Sequence, residues 1–316
     1  MKSGYHQALL IKNQEEIEEY IKGENLSEER KLKLRRVLEV KHFSENELGL
    51  KKSSNYTTFV NLDRKYVTYI VQVAYPFELK YHLWKFPIVG SVPYKGYFVE
   101  ADAKKESEEF TQKGFDTFVR GVRAYSTLGW FKDPVLSSMM DYQESDLVNL
   151  IIHETSHTTL FIKSTADFNE QLATFIGNRG TELYYKKIEG EDSPTLKLIK
   201  SQNEDELLFS QFITTEVQDL EQWYKSKQGN ITLDEKEKRL SQIQEKFSKI
   251  KFKTQKYDFF KKLKLNNAIL LGYKTYVNDL SKFEKAYEKF GDMKSFIKAV
   301  RALEKSKDPE KDILTL

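Results

Sequence analysis

The spacing of apolar residues changes several times along this chain, and each change marks an element. Leu147, Leu150, Ile151, Leu160 and Phe161 recur at helical intervals, which predicts a helix over about 141–162. Asp141 and Glu144 are placed to form a capping box at its start. A second helix is expected over 165–188, where Phe168, Leu172, Phe175 and Ile176 supply apolar contacts. On another face of it stand Glu170, Ala173, Thr174, Gly177 and Thr181. Apart from the glutamate these are small, so the second helix can approach the first closely.

Residues 6 to about 50 are charged and helix-like, with a helix expected to start at Asn25 or Ser27. From Tyr56 to about Tyr97 the texture turns to β-branched and aromatic residues punctuated by Pro76, Pro87, Gly90, Pro93 and Gly96. That pattern predicts short strands and turns, Tyr66 to Ala74 among them. Ala101 to Gln112 is an amphipathic helix ended by Gly114, and Phe115 to Val122 again has strand character. A loop over Tyr125–Phe131 leads through Asp133-Pro134 into the helical region. Beyond the hinge-like Glu189–Pro194 the pattern is almost wholly helical. The expected fold is α+β and mostly helical, with a small antiparallel sheet and a long helical C-terminal part. Three segments follow: an N-terminal helical one over 1–50, a core over 55–190, and a helical region over 195–316 packing on that core.

Composition narrows the function classes. The chain has 316 residues, 39% of them hydrophobic, including 21 Phe and 18 Tyr, so a sizeable core is available and global disorder is excluded. With 51 basic against 48 acidic residues the formal charge is only +3, which argues against a large nucleic-acid footprint. The charge run from Asp234 to Lys264 mixes lysine with glutamate and is read as the solvated face of a long helix. There are no cysteines, which removes disulfides, thiolate metal sites and cysteine nucleophiles. No apolar run approaches the roughly 18 residues needed to span a membrane.

The chemistry concentrates in the two central helices. His153-Glu154-Thr155-Ser156-His157 is an H-E-x-x-H motif. Histidines at i and i+4 lie on one helical face a turn apart, so both imidazoles can reach one ion. Glu154, one residue along, can take a proton from an attacking water without being a ligand. A catalytic zinc takes three protein ligands and keeps a fourth position open. Glu170, on the next helix, can supply the third, giving one Zn2+ per chain on His153, His157 and Glu170. His6, His42 and His82 have no motif around them and are read as structural. Three readings stand: a zinc peptidase, a zinc-binding module that has lost proteolysis and binds a peptide or partner, and a helical scaffold with a structural zinc. Glu154 favours the first, because a site kept only for binding needs no carboxylate between its histidines.

Several blocks extend the pattern: Phe86-Pro87-Ile88-Val89-Gly90, Tyr94-Lys95-Gly96-Tyr97-Phe98, Ala124–Phe131, Asp133-Pro134-Val135-Leu136, Phe168-Asn169-Glu170 with Ala173-Thr174, and Asn266-Asn267-Ala268 with Tyr276. With the zinc motif, these give a chain that resembles the bacterial "predicted aminopeptidase" family of zinc-metallopeptidase-like envelope proteins along nearly its whole length. The resemblance implies a zincin-like catalytic core, a zinc cofactor and a peptide or small-protein substrate. Tyr125 and Tyr276, in the family-like blocks, are candidates for stabilising the oxyanion of the reaction. It also implies a secreted lipoprotein of the periplasm or cell envelope. Gly4-Tyr5 stands where the family's mature start closely follows a lipidated cysteine, so an upstream signal and membrane tether are expected.

Two departures matter. The family's residues inside the zinc motif are typically Leu-Ala, whereas Thr155-Ser156 stand here, and a hydroxyl facing the core must bond a backbone carbonyl a turn earlier. The Gly-x-Met-Glu-Asn segment with which aminopeptidases of another type hold the substrate's ammonium is missing. Glu78, Glu100 and Asp102 could serve in its place, against a default role as surface carboxylates.

Overall fold

A computed structural model describes residues 13–23, 26–62, 64–86, 90–124, 132–162, 165–275 and 280–316. Its strands are β1 Glu15–Glu16, β2 Thr58–Val60, β3 Thr68–Ala74, β4 Trp84–Phe86, β5 Gly90–Val92, β6 Tyr94–Tyr97, β7 Asp116–Val122 and β8 Val135–Leu136. Its α-helices are α1 Ile17–Tyr20, α2 Glu28–Asn46, α3 Glu100–Gln112, α4 Glu144–Thr159, α5 Ala166–Glu189, α6 Pro194–Ser226, α7 Leu233–Ser248, α8 Asn267–Thr275, α9 Ser281–Phe290, α10 Met293–Val300 and α11 Pro309–Asp312. The protein is α+β, dominated by helix, with small, mainly antiparallel sheets. Two compact units form from interleaved segments. One comprises Met1–Val67, Arg123–Lys200 and Asp279–Leu316, the other Thr68–Val122 and Ser201–Asn278.

The first unit carries the candidate chemistry. Its core joins Leu34, Val37 and Val40 of α2, Leu147, Ile151 and Ile152 of α4, and Phe168, Leu172 and Phe175 of α5 to Phe283 and Phe296 of α9 and α10. A three-stranded sheet in the order β1-β2-β8 lies in the same unit, antiparallel between β1 and β2 and parallel between β2 and β8. Ser27 caps α2 by accepting the Arg30 N–H, the second of the two expected caps. Glycines let α5 approach its neighbours. A Cβ on Gly177 would meet Asn149 Oδ1 at 3.1 Å and His153 Cβ at 3.3 Å. At Gly180 it would stand 2.9 Å from Leu48 Cδ1 and 3.0 Å from Ile152 Cγ2.

The expected capping box before α4 does not form. The N-cap is Gln143, without a side-chain bond, and Asp141 ends a short 3₁₀ turn. Glu144 is drawn away: its carboxylate accepts from Arg36 Nε at 3.0 Å and from the Tyr185 hydroxyl at 3.3 Å. A charged partner outweighs a neutral backbone donor.

In the second unit β3 pairs with both β6 and β7, antiparallel in each case. Its side chains alternate as a strand requires. Val71 and Val73 pack on Ala103 of α3, while Ala74 meets Ala268 and Leu271 of α8. A second core joins Phe209, Val217 and Leu220 of α6 to Ile243 and Phe247 of α7. The lysine-rich run is not one long solvated helix, since α7 ends at Ser248. Lys236 on it is buried and bonds both oxygens of Asp116 at 2.7 Å.

Candidate metal centre

His153 and His157 stand one turn apart on α4, their rings 4.9 Å apart and nearly perpendicular at 82°. The rings converge through Nε2, the two nitrogens separated by 3.2 Å. Glu170 comes in from the first turns of α5, with its oxygens 3.6 Å from His153 Nε2 and 3.4 Å from His157 Nε2. The three donors all lie within 4.8 Å of one another and could hold a metal ion. No other such group of three is found among the described residues. Glu154 is not one of the converging donors.

Exposure grades across the site. The His157 side chain is 4% exposed, His153 19% and Glu170 50%, so solvent reaches the donors from the glutamate side. Burial, then the neighbouring His153, pushes His157 down to about 4, against the opposing pull of Glu170. The adjacent imidazoles, His153 first and then His157, hold the Glu170 carboxyl below its usual value against the opposing effect of its partial burial. Near neutral pH the set therefore presents a neutral His157 imidazole and a carboxylate, the forms that ligate cations. His157 Nδ1 is buried, with no hydrogen-bond partner among the described residues.

The two hydroxyls inside the motif are satisfied locally. Thr155 Oγ1 donates to the Ile151 carbonyl a turn earlier at 2.6 Å, and Ser156 Oγ donates to the His153 carbonyl at 2.6 Å. The unusual Thr-Ser pair thus adds no unpaired hydroxyl to the core.

One neighbour of Glu154 carries no sequence signal. Tyr56 is buried, with a left-handed backbone at φ 60°, and its N–H donates to the Asp133 carbonyl at 2.7 Å. Burial first, then the charges of Glu154 and Asp133, raise its hydroxyl well above the ordinary tyrosine value. A bulky residue in this conformation is a genuine outlier. Nothing in the residue types around it foretells one.

The remaining expectations fall in different places. Tyr125, Tyr276 and His6 lie outside the described residues. His42 is exposed on α2. His82 belongs to the second unit and packs between Trp84 and Phe110 at 5.0 and 4.8 Å. Glu100 is engaged by Lys104 at 2.8 Å and by the Tyr69 hydroxyl at 3.3 Å. No helix among the described residues is long and apolar enough to cross a membrane.

No curated protein and no solved structure matches this chain. A family model described as "Putative aminopeptidase" does match, from residue 1 to residue 314, and the chain belongs to that family.

Proposed function

We propose that the protein is a zinc-dependent metallopeptidase with a zincin-like core, hydrolysing bonds in peptides or small proteins. The observation that carries this is the spacing of the donors. Zinc binds imidazole nitrogen and carboxylate oxygen at about 2.0–2.1 Å, which in tetrahedral geometry sets its ligands roughly 3.3–3.4 Å apart. Here the two Nε2 atoms stand 3.2 Å apart, and Glu170 approaches them with different oxygens, Oε1 at 3.4 Å from His157 and Oε2 at 3.6 Å from His153, close to that spacing. Two imidazoles and one carboxylate are also the donor set of hydrolytic zinc sites that keep a fourth position open, whereas a structural site closes it with Cys or His.

His153 and His157 would hold the ion through Nε2, and Glu170 would supply the charge. A zinc ion held there activates water and polarises the scissile carbonyl. Glu154, adjacent to the donors without joining them, receives the proton of the attacking water on its carboxylate. It then delivers that proton to the leaving amine. A donor to the developing oxyanion is also required, and Tyr125 and Tyr276 are the candidates for that role.

Metal content measured beside cleavage of a mixed peptide library tests the reading. About one zinc per chain and metal-dependent cleavage are expected. Glu154→Gln should keep its zinc and lose about 10²–10⁴ in turnover. Zinc bound without any cleavage would make the protein a metal-dependent peptide-binding module instead.

A further inference from the structure

One buried amide ties Ile162, just past the helix that carries the histidine pair, to the first turn of the helix that carries the third donor. Asn169 is 2% exposed. Its Oδ1 accepts the backbone N–H of Ile162 at 3.0 Å, and its Nδ2 donates to the carbonyl of the same residue at 2.8 Å. A side-chain amide that meets both backbone groups of one residue fixes rotation as well as distance, as a hydrogen-bonded pair does in an antiparallel ladder. Ile162 is itself buried in the core, so the clamped point cannot drift. Thr165 Oγ1 donates to the same carbonyl at 3.0 Å.

This clamp stands where a helix cap would. The N-cap residue of α5, Thr165, makes no side-chain cap bond, so the first turn is tied down from within by Asn169. Glu170 is the next residue and half exposed. Little packing holds its carboxylate, and its place depends on the backbone between Phe168, which is buried against Phe283 at 5.3 Å, and Asn169.

We infer that Asn169 is a positioning residue for the metal centre: its amide locks Ile162, just past the end of α4, onto the first turn of α5, so that Glu170 meets the Nε2 atoms of His153 and His157. The inference rests on the metal-centre reading above. Only asparagine satisfies this geometry. Aspartate would still accept from the Ile162 N–H but would set an oxygen against the Ile162 carbonyl. Glutamine would force a further methylene into a closed site.

The test is Zn2+ affinity by chelator competition, which needs no turnover. Asn169→Asp should weaken binding about 10–100-fold, the usual loss for an outer-shell group. In a Glu170→Ala background the same change should cost nothing more, because the residue acts through Glu170. Thr165→Val, which removes only the auxiliary bond, should show a smaller loss that also vanishes in that background. It serves should Asn169→Asp fail to fold. Additive losses in the double variants would mean a general effect on the fold and would overturn the proposal. So would unchanged affinity in a folded Asn169→Asp protein. A wild type that binds zinc and cuts no peptide would defeat the peptidase reading and leave this one intact, whereas a wild type without zinc affinity would remove both.

Discussion

Tyr56 shows what a single position can hide. Histidines at i and i+4 with a glutamate between them are legible because one ion dictates their spacing, and Glu170 follows because a third ligand is required. A left-handed tyrosine is dictated by its surroundings, here the bond from its N–H to the Asp133 carbonyl, and residue type gives no warning of it. Its role is open to a clean substitution. Tyr56→Phe deletes the hydroxyl alone; because that hydroxyl is coupled electrostatically to Glu154, the change should leave zinc affinity unchanged and shift the pH dependence of turnover. An unchanged pH profile would show that Tyr56 does not act on Glu154. His157 makes a second prediction, in the metal-free protein. Its ordinary value of 6.5 drops to about 4 in the fold, so between those pH values the unfolded chain holds a proton that the folded chain refuses. Stability is therefore lost as pH falls through that window, on the order of 3 kcal/mol in all at about 1.4 kcal/mol per unit. Glu170, lowered in the fold, adds a loss of the same sign at lower pH. Melting temperatures of the chelated protein from pH 7 to pH 4 should fall less steeply in His157→Gln, and equal slopes would refute the assignment.

At the scale of elements the sequence pattern was informative wherever periodicity acts alone. The strand expected over Tyr66 to Ala74 is β3 at Thr68–Ala74, and the helix of Ala101 to Gln112 is α3 at Glu100–Gln112. Capping failed where a tertiary partner intervened, as Arg36 did for Glu144. The small face of α5 was legible too, and it bears weight at Gly177; Gly180, which was not part of that reading, packs as closely on Leu48 and Ile152. Each Gly→Ala change gains up to about 1 kcal/mol of helix propensity, yet forces a methyl into neighbours that close packing leaves little room to yield. Net destabilisation of about 1–2 kcal/mol is expected for both. The two should separate in metal binding. Gly177 abuts the His153 Cβ, whereas Gly180 abuts Leu48 and Ile152. Gly177→Ala should therefore weaken zinc affinity at least tenfold, and Gly180→Ala should lower the melting temperature with little effect on the metal. Matching affinities in the two variants would show that the contact with His153 does not position it.

For the molecule as a whole, local periodicity identifies elements but not their partners. Val67 ends one segment of the first unit and Arg123 begins the next, with the β3–β7 sheet of the second unit inserted between them. That interleaving depends on long-range packing, which no spacing rule encodes. It has a thermodynamic consequence. All three donors, His153, His157 and Glu170, lie within Arg123–Lys200 of the first unit. An ion that binds only the folded site stabilises it by about 4 kcal/mol when free metal stands a thousandfold above its dissociation constant. That stabilisation acts first on the elements that open to release the metal. Amide exchange with and without zinc should thus show the largest gain in protection in α4 and α5, with smaller gains in β3, β7 and α7. Protection spread evenly over both units would mean that they open as a single cooperative body. Protection absent from α4 and α5 would count against a metal at this site altogether.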